Sequence, residues 1–155
     1  MPRKIVSGGQ TGADRAAFDA ALACGVEIGG WVPRGRLAED GRVPERYAGL
    51  REAESADPSL RTALNVRDSD ATLVVSLGPL TGGSLLTRRE ALRLGRPLLH
   101  VDLDRLAPTE AVDQVVAWLR AVNPTVLNVA GPRASEAPEI GRHVTMLLES
   151  VLRVC

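Results

Sequence analysis

Short apolar runs alternate with longer amphipathic ones along the chain, which predicts an α/β fold with a mostly parallel sheet flanked by helices. At 155 residues it is expected to be one domain, spanning 1–155. Ala71-Thr72-Leu73-Val74-Val75-Ser76 is nearly continuous apolar sequence, the pattern of a parallel strand buried on both faces. Three strands run into turns rich in Gly, Ser and Thr, and right-handed crossovers bring such turns to one edge of the sheet. Ligands of open α/β sheets bind at that edge.

The first strand (residues 3–7, centred on Ile5-Val6) opens into Ser7-Gly8-Gly9-Gln10-Thr11-Gly12-Ala13-Asp14-Arg15, the stretch around which the chain is organised. Glycines allow close backbone approach and positive φ, and the first N–H groups of the next helix point into the turn. Gln10 and Thr11 add side-chain donors and acceptors. No Gly-Lys-Ser/Thr follows, so this is not a Walker A loop, nor is it Gly-x-Gly-x-x-Gly. A ligand-free strand-to-helix turn is the competing reading. The helix runs from Gly12 to Cys24, with Ala17, Phe18, Ala21 and Leu22 on its apolar face and Gly25 as its stop. Asp14 falls in the first turn, where the helix dipole favours a carboxylate.

Residues 26–31 read as a short second strand ending at Trp31. Pro33 to Tyr47 is a long irregular stretch rich in Gly, Pro and charge. Loops of that length tend to be functional or disordered; Trp31 and Tyr47 would anchor its ends, which favours function, although a solvated surface loop has the same composition. A helix from Leu60 to Asp68, with Pro58 near its start, precedes the strand at 71–76. That strand is expected to neighbour the one at 3–7, with Gly9 and Gly83 facing one crevice. The turn Gly78-Pro79-Leu80-Thr81-Gly82-Gly83-Ser84 starts a helix that runs to Leu94 and stops at Gly95. Pro97 to Val101 is a strand, and Thr109 or Glu110 to Val122 a helix with Val112, Val115, Val116 and Leu119 on one face. Thr125 to Val129 is a strand ending in Ala130-Gly131-Pro132-Arg133, and a helix from Pro138 to Leu152 closes the chain.

Lysine plus arginine and aspartate plus glutamate balance at 19 each, so nothing pulls the chain toward nucleic acid or anionic membrane. Aromatics are only 3%, which leaves the core to Leu, Val and Ala. Lys4 is the single lysine among the bases. Arginine suits bidentate oxyanion recognition, but a genome-wide codon bias gives the same excess and is the blander explanation. Cys24 and Cys155 stand far apart without a Cys-x-x-Cys, so neither a disulfide framework nor a cysteine metal site is expected. No h-region follows Met1, and no apolar run approaches roughly 18 residues, so a cytoplasmic protein is expected. His100 falls in a strand and His143 on the last helix, and no Ser-His-Asp triad or metal-ligand spacing emerges.

Five blocks carry a resemblance: residues 7–15, Gly-Gly-Trp-Val-Pro-Arg-Gly-Arg-Leu-Ala-Glu-Asp-Gly (29–41), Asn-Val-Arg-Asp-Ser-Asp (65–70), residues 78–84 and Leu-Asn-Val-Ala-Gly-Pro-Arg (127–133). In this order, over nearly the whole chain, they resemble the family named putative molybdenum carrier proteins. The resemblance implies a Rossmann-like three-layer domain, similar to the superfamily that holds the lysine decarboxylase-like phosphoribohydrolases and the DNA-processing protein A group. The family name implies molybdate or molybdenum cofactor as ligand, and the fold's relatives imply a nucleoside phosphate. Carried over residue by residue, the resemblance puts Gly8, Gly9, Gln10, Thr11 and Gly12 on the ligand's phosphate or oxyanion. It does the same for Thr81, Gly82, Gly83 and Ser84. Arg15 and Gly78 belong to the same two blocks, Arg34 and Arg36 to the second, Asn65, Arg67 and Asp68 to the third, and Arg133 to the last. The phosphoribohydrolases carry Pro-Gly-Gly-x-Gly-Thr-x-x-Glu. Here the paired glycines and Thr87-x-x-Glu90 remain, but one extra residue separates them and Leu86 replaces the glycine before threonine. That departure argues against hydrolase chemistry.

Three functions follow. A carrier or binding protein for molybdate, a phosphorylated pterin or a nucleotide leads. A nucleotide-processing enzyme would use Glu90 or Asp14 in N-glycosidic cleavage. A sensing module would respond to a nucleotide through its oligomer. The expected partners are a small oxyanion or nucleotide and further copies of the chain as a dimer or tetramer, with neither nucleic acid nor membrane, and no metal held by the protein itself. Molybdate is a tetrahedral dianion and needs only N–H, hydroxyl and guanidinium donors.

Overall fold

The computed structural model of the chain describes residues 1–154, so Cys155, and with it the expectation for the cysteine pair, lies outside the described residues. In chain order the elements are β1 (Lys4–Val6), α1 (Ala13–Ala23), β2 (Glu27–Gly29), β3 (Trp31–Val32), a 3-10 turn (Arg34–Arg36), β4 (Leu37–Ala38), β5 (Gly41–Arg42) and β6 (Arg51–Glu52). They continue as α2 (Pro58–Arg67), β7 (Ala71–Ser76), α3 (Gly82–Leu94), β8 (Leu98–Asp102), α4 (Pro108–Val122), β9 (Val126–Ala130) and α5 (Ile140–Arg153). This is the expected α/β architecture, a Rossmann-like three-layer domain around a parallel sheet.

The sheet order is β2-β1-β9-β7-β8, all parallel. The expectation that β1 and β7 are neighbours is therefore wrong: β9 lies between them, with Ile5 and Leu73 on either side of Leu127 and Val129. The physical reason lies at the start of β9. The Asp70 carboxylate, just ahead of β7, accepts the backbone N–H groups of Thr125 (3.1 Å) and Val126 (2.8 Å) and draws β9 against β7. Farther along, Asn128 donates to the Thr72 hydroxyl at 3.3 Å.

Alternation along the strands separates two faces. Ile5, Leu73, Val75, Val101, Leu127 and Val129 join the core with α1, α4 and α5. Thr72, Ser76 and Asn128 are the buried polar residues of the opposite face, over which α2 and α3 pack together. Ala13, Ala16, Ala17, Ala20 and Ala21 of α1 are buried, and these small side chains let α5 approach α1 closely. Each fully buried Leu or Val contributes about 1.5–3 kcal/mol relative to exposure. Among the described residues no helix is long and apolar enough to cross a membrane.

The segment 26–31 is not one strand. Gly30 sits at φ +113°, which breaks it into β2, paired with β1, and β3, paired with β6 in a separate two-stranded sheet. Nor is 33–47 irregular throughout: it holds the 3-10 turn and the β4–β5 hairpin. Tyr47 and Val43 anchor this strap in the core, with the Tyr47 ring centroid 5.2 Å from that of Phe18.

Candidate functional site

The glycine turns after β1, β7 and β9 converge on a crevice of about 210 Å³ at the carboxyl edge of the sheet. One wall is the start of α3. Thr81 occupies its N-cap without a side-chain cap, which leaves the first N–H groups of a 13-residue helix open toward the crevice. No heavy atom lies within 4 Å of where a Cβ at Gly83 would stand, whereas Gly82 needs its glycine for φ +51°. Ser84 is buried beside them, and the Thr87 hydroxyl turns back to donate to the Gly83 carbonyl at 2.9 Å. Gly131 forms the floor, where a Cβ would fall on the Val75 carbonyl oxygen.

The opposite wall is charged. Asp14, from the first turn of α1, is 4% exposed, and its Oδ2 accepts the Gln10 N–H at 3.2 Å. Arg61 Nη1, from the first turns of α2, stands 3.8 Å from the same oxygen. Burial pushes the Asp14 carboxyl above the usual carboxylate range, against the opposing pull of Arg61. The Arg61 guanidinium lies over Gly8, where any Cβ would collide with it. The Arg61 Nε is buried here without a hydrogen-bond partner. An arginine held that far out of water with a free donor is suited to an anion. Arg133 and Glu136 form the rim, paired to each other through Nε and Oε1 at 3.0 Å.

The structure brings Gln10, Asp14, Gly82, Gly83, Ser84, Thr87 and Arg133 to this crevice. Other candidates stitch the strap to the turns. Gln10 Oε1 accepts the Glu39 N–H at 3.0 Å, and the Thr11 hydroxyl bonds the Glu39 carboxylate and accepts the Ala134 N–H at 3.1 Å. Arg15 donates Nε to the Gly9 carbonyl (3.0 Å) and makes a bidentate pair with Asp40 at 2.6 and 2.8 Å. The hydroxyl of Ser135 holds Glu39 below the usual carboxylate range, and Arg15 does the same for Asp40. Contrary to the expectation that it shares the crevice with Gly83, Gly9 does not line it: with φ +74°, it lies against Val32 and Val43. Gly12, at φ +79°, faces Pro132 and Ala134 of the β9 turn.

The remaining candidates lie elsewhere. Arg34 is exposed on the strap. Arg36 is buried at φ +56° and donates to the carbonyls of Val43 (3.1 Å), Pro44 (2.7 Å) and Tyr47 (3.1 Å). Asn65 and Asp68 sit near the far end of α2, where Asp68 is paired bidentately with Arg67 at 2.7 and 3.0 Å. Gly78 donates its N–H to Asp102 at 2.9 Å, Thr81 is exposed at the N-cap, and Glu90 pairs with Arg93 at 2.7 Å outside the crevice. Ser76 Oγ and His100 Nε2 do meet at 2.7 Å. However, the serine donates to the Gly78 carbonyl (2.6 Å) and Asp102 bonds backbone N–H groups, so no proton relay forms. Arg61 was missed by sequence reasoning. The available signal was a charged residue four before Asn65, on the stripe that α2 buries with Thr62 and Val66.

The chain matches the circularly permutated YpsA SLOG family over residues 5–152. It belongs to that family. The SLOG chain is also similar to a protein from Syntrophus aciditrophicus SB named "Putative molybdenum carrier protein", known from a crystal structure at 1.45 Å resolution. The two share 51% identity over 97% of this chain and 95% of the other, with a TM-score of 0.95. The resemblance carried by the five sequence blocks is thereby borne out. No curated protein matches the chain.

Proposed function

We propose that this SLOG chain is a binding or carrier protein for a small oxyanion or a phosphorylated ligand. Molybdate or a molybdenum-bearing pterin phosphate comes first, on the strength of the name its crystallised relative carries. The observation that carries the reading is Arg61, its side chain 13% exposed and its Nε buried without a partner, facing the uncapped start of α3 across one crevice. A tetrahedral dianion there would accept from the guanidinium and from the α3 backbone, and a protonated Asp14 would donate rather than repel. Molybdate is then cargo, with no residue required to ligate the metal directly.

The test is thermal melting at fixed ionic strength with molybdate, tungstate, sulfate, AMP and ADP-ribose. A ligand at about 100 times its dissociation constant adds roughly 2.7 kcal/mol, a midpoint rise of roughly 5–11 °C for a domain of this size. Arg61→Gln removes a charge-assisted bond of about 1.5–3 kcal/mol and should weaken binding by roughly 10- to 150-fold. The reading fails if no compound exceeds a sodium chloride control, or if the shift survives Arg61→Gln unchanged. One observation favours a nucleotide-processing reading instead: the Asp14 carboxyl lines the crevice and holds its proton above the ordinary range, as a general acid does. Adenine release from AMP that disappears in Asp14→Asn would select it.

A further inference from the structure

A second cavity, of about 300 Å³, lies at the other end of α2 and shares no lining residue with the crevice. Lys4, Trp31, Arg51 and Asp68 line it, with backbone at Gly30 and Gly49. Trp31 is held there through both its backbone and its indole N–H. The amide of Asn65, itself 2% exposed, accepts the Trp31 N–H at 2.7 Å and donates to its carbonyl at 2.9 Å. The indole N–H donates to Asp68 at 2.9 Å, and the Arg51 guanidinium stands 5.5 Å from the ring centroid. Arg51 is also the register partner of Trp31 across β3 and β6. Gly29 leaves the path that the Lys4 side chain takes, since a Cβ there would fall on Lys4 Cε.

The two cations of this cavity have only weak partners: the Arg51 charge helps Arg67 hold the Asp68 carboxyl below the usual range, but from beyond 4.0 Å. Asp68 is occupied by Arg67 at 2.7 and 3.0 Å as well as by the indole. The carboxylate nearest Lys4 is that of Glu27, 4.0 Å away and 71% exposed. Among the described residues Arg51 makes no ion pair within 4.0 Å. Two cations therefore converge on a cavity beside a tryptophan whose position a buried asparagine has set. Surface cations that serve only solubility need no such framework. We infer that this cavity is a second ligand site, taking a small organic anion whose carboxylate or phosphate lies between Lys4 and Arg51 and whose body rests against Trp31. This site is independent of the crevice and of the function proposed for it.

The chain has two tryptophans, so Trp118→Phe leaves Trp31 as the sole indole reporter. In that background, benzoate and inorganic phosphate are titrated at ionic strength fixed with sodium chloride, and Trp31 emission is followed. At least one probe should give a saturable change. Lys4→Met and Arg51→Met should each weaken it by roughly tenfold or more, the scale of one lost charge-assisted bond. Lys4→Arg and Arg51→Lys, which keep the charge, should retain most of the binding, and Arg61→Gln should leave it unaltered. A benzoate-only response identifies a carboxylate site, and a phosphate-only response a phosphate site. The inference is overturned if neither probe gives a saturable change, if the change persists in both methionine variants, or if Arg61→Gln abolishes it.

Discussion

An alanine Cβ at Gly131 would fall on the Val75 carbonyl oxygen and stand 2.6 Å from the Ala13 Cβ. Neither neighbour is the free end of a side chain: Val75 lies in β7, paired with Val101 of β8, and Ala13 opens α1. Relief requires the β9 turn to retreat from both. Overpacking of this kind costs about 1–3 kcal/mol, and in a domain of this size each kcal/mol is about 2–4 °C in the midpoint. Gly131→Ala should therefore melt roughly 2–12 °C below wild type. Gly83 lines the same crevice but would meet nothing within 4 Å. Alanine there restricts the unfolded chain and should hold or raise stability, by up to about 1 kcal/mol. Urea midpoints with unchanged m-values, alongside calorimetric melting, would measure both. A Gly131→Ala protein melting within about one degree of wild type would refute the steric reasoning, as would a Gly83→Ala protein that falls as far.

Two further outcomes follow from buried charge. The folded Asp14 carboxyl keeps its proton to higher pH than the unfolded one, so stability should decline as pH rises from the ordinary carboxylate range through the raised pKa. Asp14→Asn should remove that decline, and melting midpoints from about pH 4 to 8 would show a steeper slope in the variant if the sign is wrong. Arg36→Lys replaces a planar fork that serves three carbonyls and should cost about 1–3 kcal/mol in urea denaturation; wild-type stability in the variant would show that those bonds contribute nothing.

What could be read from the sequence was what local chemistry decides. β7 was plain because both its faces are buried and all six of its residues are compatible with that. Pro58 announced α2, whose N-cap is Asp57, and Gly95 ended α3 in a left-handed conformation at φ +66°. The place of β9 was not legible, because it depends on a carboxylate 55 residues away that accepts the Thr125 N–H. Gly9 and Gly83 look alike in a turn motif, and only the packing of Val32 and Val43 against one of them tells them apart. Arg34 and Arg36 look alike too, yet one is exposed and the other is wrapped in its own strap. Arg61 belongs to no motif, so its place over Gly8 emerges only once α2 is docked on the sheet.

The position of β9 also sets an order of events during synthesis. The strand that leaves the ribosome after all the others is the one that fills the middle of the sheet. Until it emerges, β2-β1 and β7-β8 are separate ribbons, each with an unpaired inner edge of the sort that chaperones and other strands recognise. Contacts such as that of the Ala134 N–H with the Thr11 hydroxyl, 123 residues apart, must wait for that insertion. The crevice has walls on both sides of β9, so the same event that completes the sheet completes the pocket. The crevice is therefore complete only once the sheet is whole.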